Sequence, residues 1–243
     1  MPGRPHYAFL VIREHPFGRE MLSRLLAAGL PPALILEEDS ALGDLERRKF
    51  RERIGAHPVA PSIAARAEEL GIPLVSVEAH RDEYCLEPLR AADPDLIVLG
   101  GTRILRGELL AYPRDGVLNS HPGLLPECRG SASPAWSVYH DIPIGASCHF
   151  CTEAIDEGDL VGRREIAVRR GATYEDLCFA TLVEAGRLMA EAVQAYAEGR
   201  LDELRRPQGP SPHPTFRNMP DELLEVVRAK LRDGTYGCYA EPE

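Results

Sequence analysis

The sequence predicts an α/β fold: a mostly parallel β-sheet with helices on both faces and a small C-terminal appendage. Three observations predict it. Short apolar runs of strand length recur through the first half of the chain, segments of helical period separate them, and glycines stand at the ends of several of those segments. Strand and helix in alternation build a parallel sheet, because each crossover must return over one face of the sheet.

Residues 7–12, YAFLVI, read as the first buried strand. Residues 18–29 carry Met21, Leu22, Leu25, Leu26 and Ala27 at helical spacing and stop at Gly29. Residues 32–36 form a second strand, 61–70 a helix stopped by Gly71, and 73–77 a third strand. Residues 84–92 are helical, 95–99 make a fourth strand running into Gly100-Gly101, and 116–119 a short fifth one. The pattern changes after Pro134. Residues 135–139 read as a helix, and 144–151 and 160–168 as two strands joined by a loop that holds Asp156. Residues 174–197 form a long amphipathic helix whose stripe of Leu182, Ala185, Leu188 and Met189 is expected in the core. Residues 204–218, rich in Pro, Arg and polar types, read as a linker or extended arm, and 221–232 as a last amphipathic helix ended by Gly234. The architecture is Rossmann-like, with a main domain over residues 1–203 and an arm and helix over 204–243. That tail is too small for a core of its own, so it is expected to pack on the main body or on a second subunit of a homodimer.

The chain has 243 residues, a formal net charge of −10 and 44% hydrophobic residues, enough for a full core. The acidic balance argues against a protein whose main task is to hold nucleic acid, which needs a basic surface. Cys85, Cys128, Cys148, Cys151, Cys178 and Cys238 are scattered and suggest no disulfide framework, so a reducing compartment is expected. The first apolar run is short for a signal peptide and no run reaches bilayer length. The expectation is a cytoplasmic protein with no membrane partner.

The densest chemistry lies in Asn119-Ser120-His121-Pro122-Gly123-Leu124-Leu125-Pro126, followed by Arg129-Gly130 and by Asp156-Glu157-Gly158. Open parallel sheets bind ligands at the carboxyl ends of their strands, which is where Asn119 and His121 fall. Two residues apart in extended chain, they point to one side, and Pro122 keeps His121 extended. A carboxamide N–H can stabilise a developing oxyanion, and an imidazole can do the same or shuttle a proton. A nearby carboxylate can raise the imidazole's basicity or accept a proton through water. The three together suit attack by a nucleophile on a small carbonyl, with no covalent enzyme intermediate. Singly, Asn119 or His121 is explained as well by bonding to turn backbone groups; with Asp156 the chemical reading is favoured.

The segments GVLNSHPGLLPECRG and GASCHFCTEAIDEGDLVGR resemble the folate-dependent formyltransferases, the family of the glycinamide ribonucleotide, methionyl-tRNA and sugar-nucleotide N-formyltransferases. The resemblance runs from about residue 7 to about residue 168 and is most specific from Asn119 to Gly158. It implies the formyltransferase fold and transfer of a formyl group from N10-formyltetrahydrofolate, the donor, to a primary amine. It implies that Asn119 and His121 hold the formyl oxygen, and that Asp156 orients His121 and helps take up the amine proton. The stretch DLIVLGGTRIL also resembles the family, whose matching segment lines the pterin pocket largely through backbone groups. That carries a donor-binding role to Thr102, Arg103, Ile104 and Leu105, and less directly to Ala154 and Ile155. Gly123 and Cys128 stand where family members often have Ser and Tyr, at positions expected to carry no chemistry. The purine-pathway member's Gly/Ser-rich phosphate loop is lacking after the first strand. From the length of the tail and of the N-terminal segment, neither the extra barrel domain of the methionyl-tRNA enzymes nor the N-terminal regulatory domain of a formyltetrahydrofolate hydrolase is expected. The expected acceptor is therefore a small molecule: an amino-sugar, a sugar nucleotide or an amino acid derivative. Two alternatives stand beside it, a hydrolase that uses water and a non-catalytic folate-binding protein.

No metal is expected. Cys148 and Cys151 have a Cys-x2-Cys spacing without a second pair, and would face opposite sides of a strand. Of His149 and Phe150, one faces the core and the other can face the site. Glu37, Glu38 and Asp39 follow the second strand, but no G-x-G-x-x-G follows the first, so they read as a solvated loop. No feature predicts a low pKa for the Cys128 thiol. Arg13, His15 and Arg81 remain as weaker candidates for contacts with the acceptor or the donor's glutamate.

Overall fold

A computed structural model describes residues 5–241. Among these residues a seven-stranded sheet has the order β3-β2-β1-β4-β5-β6-β7. Its strands are β1 (Tyr7–Ile12), β2 (Leu34–Glu38), β3 (Leu74–Val77), β4 (Leu96–Leu99), β5 (Val117–His121), β6 (Gly145–Phe150) and β7 (Leu160–Glu165). The helices are α1 (Pro16–Ala27), α2 (Ala41–Arg53), α3 (Ile63–Leu70), α4 (Asp82–Ala92), α5 (Glu108–Ala111), α6 (Ser133–Tyr139), α7 (Tyr174–Ala197), α8 (Leu201–Leu204) and α9 (Asp221–Arg232). Strands β1 to β5 pair in parallel, whereas β6 runs antiparallel to β5 and β7 antiparallel to β6. The last two strands are joined by a loop without a crossover helix, which only an antiparallel pair allows. Strand order reverses between β1 and β4, so a crevice opens beyond their carboxyl ends.

Alternation along β1 divides the core. Tyr7, Phe9 and Val11 pack with Met21, Leu22 and Leu25 of α1 and with Leu182, Ala185, Leu188 and Met189 of α7, the stripe expected in the core. Ala8 and Leu10 pack on the other face with Cys85 and Leu89 of α4 and Leu109 of α5. Each large side chain so buried contributes roughly 1.5–3 kcal/mol. A third cluster joins Val227 and Leu231 of α9, with Tyr236, to Ala135 and Val138 of α6 and Leu177 of α7. The C-terminal helix thus packs on the body of the same chain. Between α8 and α9 the arm runs extended, bridging Leu160 through Arg206 and Gly130 through Phe216.

Several boundaries differ from the sequence reading, each for a local reason. Helix α1 begins at Pro16 because the His15 ring caps it, Nδ1 accepting from the Phe17 N–H at 3.2 Å. Strand β2 extends through Glu38, two residues beyond the expected end. Helix α2 was not expected: it is strongly charged, and Gly43 is its only fully buried residue among those described. It is held by the Ser40 hydroxyl, which accepts from the Gly43 N–H at 2.9 Å, and by the Arg47–Asp44 pair at 2.9 Å. Helix α7 starts at a capping box of Thr173 and Asp176.

Candidate active site

Strand β5 carries Asn119 and His121 to one side at the open end of the sheet, and β6 runs antiparallel beside it. That register sets His149 directly opposite Asn119. Sequence reasoning had left open which of His149 and Phe150 faced the site. Phe150 joins the core and His149 turns to Asn119. Nδ1 of His149 lies 2.8 Å from the Phe150 carbonyl, which can only accept, so Nδ1 carries the proton. In the neutral ring Nε2 is then an acceptor, and the Asn119 amide nitrogen, 3.2 Å away, donates to it. This fixes the amide's orientation and leaves its second N–H for the cleft.

His121 is buried, with 4% of its surface exposed. Its Nε2 donates to the Cys128 carbonyl at 2.7 Å, and the Ser133 hydroxyl lies 2.9 Å from the same nitrogen. Ser133 occupies space that a side chain at Gly123 would need, since a Cβ there would lie 2.7 Å from Ser133 Cβ. The other ring nitrogen, Nδ1, faces Asp156 Oδ2 at 3.4 Å. With Nε2–H engaged, the neutral ring offers Nδ1 as a proton acceptor beside a carboxylate. Burial holds the imidazole below its ordinary pKa, with Asp156 opposing.

Asp156 sits in the β6–β7 loop at φ +55°. Its Oδ2 accepts from the Gly130 N–H at 2.8 Å, and its Oδ1 lies 3.4 Å from His149 Nε2. Burial alone would raise its pKa; the charge that His121 carries when protonated and the Gly130 N–H act against it, and the carboxyl is held well below the usual carboxylate range. Two glycines of the motif are required by space. A Cβ on Gly130, at φ +95°, would meet the Phe216 carbonyl at 2.1 Å, and one on Gly158 would meet the Phe150 carbonyl at 1.8 Å.

These groups lie in a cleft of about 690 Å³. Asn119, His121 and Asp156 line it together with Thr102, Arg103, Ile104, Leu105, Ala154 and Ile155. Ile104 is 59% exposed and Ile155 38%, leaving aliphatic surface open to the cleft. Among the described residues, the backbone N–H groups of Thr102, Arg103, Ile104 and Leu105 have no protein acceptor. The far wall is formed by Thr215, Phe216, Arg217 and Asn218 of the arm, none of which the sequence singled out. A Pro-rich segment carries no periodicity that would reveal where it docks.

The acidic cluster corrects the sequence reading. Asp39 is exposed and pairs with Arg13 at 2.7 Å, but Glu37 and Glu38 are buried at the end of β2. Glu38 receives Arg103 at 2.8 Å and Ser40 Oγ at 2.6 Å, and lies 3.5 Å from His80. Burial acts to raise its pKa, and the Ser40 and Arg103 hydrogen bonds hold it below its ordinary value. A buried carboxylate needs such a partner, and Arg103 therefore borders the cleft with its charge already neutralised. Arg13, His15 and Arg81 do not line the cleft. His15 instead closes the first turn of α1. Burial pushes the Cys128 thiol up to about 11.

Residues 31–193 match the model of a family described as formyl transferase. A methionyl-tRNA formyltransferase of Parabacteroides distasonis is 32% identical over 139 residues, covering 57% of this chain and 43% of the relative. One from Myxococcus xanthus is 30% identical over 206 residues, covering 84% of this chain and 62% of the relative. The chain thus spans roughly half the length of these curated relatives. The crystal structure of glycinamide ribonucleotide transformylase 1 from Symbiobacterium toebii superposes with a TM-score of 0.62 at 25% identity, covering 82% of this chain and 90% of that one. With two thirds of its length matched by the family model and a sheet of the same architecture, the chain belongs to the formyl transferase family.

Proposed function

We propose that the protein transfers the formyl group of N10-formyltetrahydrofolate to a primary amine of a small acceptor: an amino-sugar, a sugar nucleotide or an amino acid derivative. The observation that carries this reading is the single free N–H of Asn119, fixed by His149, beside the proton-accepting pair of His121 Nδ1 and Asp156. Two features of the cleft support a folate donor. Its exposed Ile104 and Ile155 suit a flat pterin, and the unengaged N–H groups of residues 102–105 suit that ring's polar edge. The folate supplies the formyl carbon that the amine attacks; as the new carbon–nitrogen bond forms the one to N10 breaks, and the proton taken from the amine goes to the departing N10.

Asn119 donates to the formyl oxygen as charge develops on it. One such donor contributes roughly 3 kcal/mol to the transition state. His121 has no N–H left for that oxygen, so its role is to take the amine proton at Nδ1, the resulting imidazolium being stabilised by Asp156. Holding acceptor and donor side by side accounts for much of the remaining acceleration. The acceptor's body is received along Thr215, Arg217 and Asn218 of the arm.

The test is incubation with N10-formyltetrahydrofolate and a panel of amino-sugars, amino-sugar nucleotides and amino acids, read by mass spectrometry. The expected result is an acceptor heavier by one CO, lost in Asn119→Ala, His121→Ala and Asp156→Ala proteins that remain folded. Formate release with no formylated amine would assign a hydrolase, and folate binding without turnover a binder.

A further inference from the structure

The arm makes more than a wall. Arg206 exchanges backbone hydrogen bonds with Leu160 at 2.8 Å in both directions, and Phe216 pairs with Arg129 and Ser131 at 2.9 and 3.0 Å. Between these two anchors lies Gln208. Its Nε2 donates to the carbonyls of Asp156 and Gly158 at 3.0 and 2.5 Å. Its Oε1 accepts from Arg129 Nη2 at 3.2 Å, and the other Nη of Arg129 holds Glu157 at 3.0 Å. One side chain of the arm, with the guanidinium it orients, therefore grips three successive residues of the turn that carries the Asp156 carboxylate. Asp156 is in the left-handed region, which a residue other than glycine adopts only where its surroundings enforce it. Two charge-neutral donors on flanking carbonyls are such an enforcement.

We infer that Gln208 is a positioning residue for formyl transfer: by hydrogen-bonding the backbone on both sides of Glu157 it aims the Asp156 carboxylate at His121 and His149, which makes the C-terminal arm part of the active site. This rests on the proposed role of the His121–Asp156 pair as proton acceptor. It goes beyond that role because it ties the reaction to a segment some fifty positions further along the chain. The consequence has a defined sign. Asp156 opposes the fall in the His121 pKa caused by burial. When the turn relaxes and the carboxylate moves off, His121 becomes a weaker base, and its pKa falls further.

The experiment compares Gln208→Ala and the isosteric Gln208→Glu with wild type. The Glu side chain fills the same space but offers no donor to the two carbonyls when ionised. Both variants are expected to lose about 10- to 100-fold in kcat, as a misplaced group does. The KM for the formyl donor should change less than about threefold, because residues 102–105 of the donor's pocket have no contact with Gln208. In Gln208→Ala, which adds no charge, the acid limb of the pH–kcat/KM profile moves to lower pH. NMR titration of the His121 ring shows the same displacement with no turnover required. Wild-type kcat and an unmoved His121 titration in both variants would overturn the inference. So would activity lost only in proportion to unfolding, with the pH profile of the remaining activity unchanged. If wild type itself formylates no amine, the proposed reaction fails, and the His121 titration still decides whether Gln208 sets the place of Asp156.

Discussion

Asn119 and His149 face each other across β5 and β6, the amide nitrogen 3.2 Å from Nε2 of a ring whose Nδ1 is tied to the Phe150 carbonyl at 2.8 Å. The tie matters because a carboxamide free to rotate presents its oxygen to the cleft as readily as its nitrogen. An oxygen there would repel a developing oxyanion. Asn119→Ala is expected to lower kcat by about 100- to 1000-fold, the usual effect of removing an oxyanion donor. His149→Ala leaves the donor in place but unanchored, so a smaller loss, about 10-fold or somewhat more, is expected, with little change in donor KM. Single-turnover rates at saturating donor separate the two effects. A His149→Ala protein as fast as wild type would show that Asn119 needs no anchor.

The exposed Ile104 and Ile155 give a second prediction. Exposed aliphatic side chains of this size at a cleft become buried only when a ligand covers them. Covering about half of an isoleucine contributes roughly 1 kcal/mol, which is about fivefold in affinity. Ile104→Ser and Ile155→Ser should each weaken tetrahydrofolate binding by about that factor and leave kcat at saturation unchanged. Calorimetric titration with tetrahydrofolate checks this. Unchanged affinity in both variants would place the pterin elsewhere.

What was legible in the sequence follows from which interactions are local. The strand–helix alternation up to β5 was readable because apolar period and glycine stops act over a few residues. The Asn119-x-His121 pair and the Asp156 loop were readable because their spacing is fixed by one strand and by the turn closing a hairpin. Helix α2 was not, since its caps and ion pairs hold a segment with no wide apolar stripe. Glu38 was misread as solvated because its partner, Arg103, lies 65 positions away and only the fold brings it near. The sequence put the tail on the main body or on a second subunit but could not say where, because the partners of Gln208 and Phe216 lie 50 or more positions back in the chain.

His15 gives a prediction about stability. Burial, with Arg53 and Arg47 adding to it, pushes its pKa down to about 3 from 6.5. As pH falls below 6.5 the unfolded chain takes a proton that the folded protein refuses, so this contribution to stability is present above 6.5 and is lost down to about 3. One proton of difference gives a slope of about 1.4 kcal/mol per pH unit within that window. His15→Asn keeps an acceptor for the Phe17 N–H but cannot titrate. Urea denaturation between pH 7 and 4 should therefore show a shallower loss of stability in the variant than in wild type. Parallel curves would mean that the His15 ring is protonated in the folded protein as easily as in water.

Gly130 joins the site to the arm, and its replacement should separate them. Its N–H holds Asp156, while a Cβ at φ +95° would meet the Phe216 carbonyl at 2.1 Å. Gly130→Ala must therefore strain the backbone or push the arm away. Strain alone costs about 1–3 kcal/mol. Displacing the arm breaks the Phe216 hydrogen bonds to Arg129 and Ser131 and unstacks its ring from Trp136, 4.8 Å away. The second route is the expected one, because the arm is held at few points and is otherwise largely exposed. Limited proteolysis should then cut Gly130→Ala between residues 205 and 218 well before the body unfolds, with transfer activity lost alongside. Phe216→Ala loosens the arm without touching the Gly130 N–H, so it should become protease-sensitive there and keep more activity than Gly130→Ala. Equal resistance of wild type and Gly130→Ala to the protease would mean that the body, rather than the arm, absorbs the added methyl.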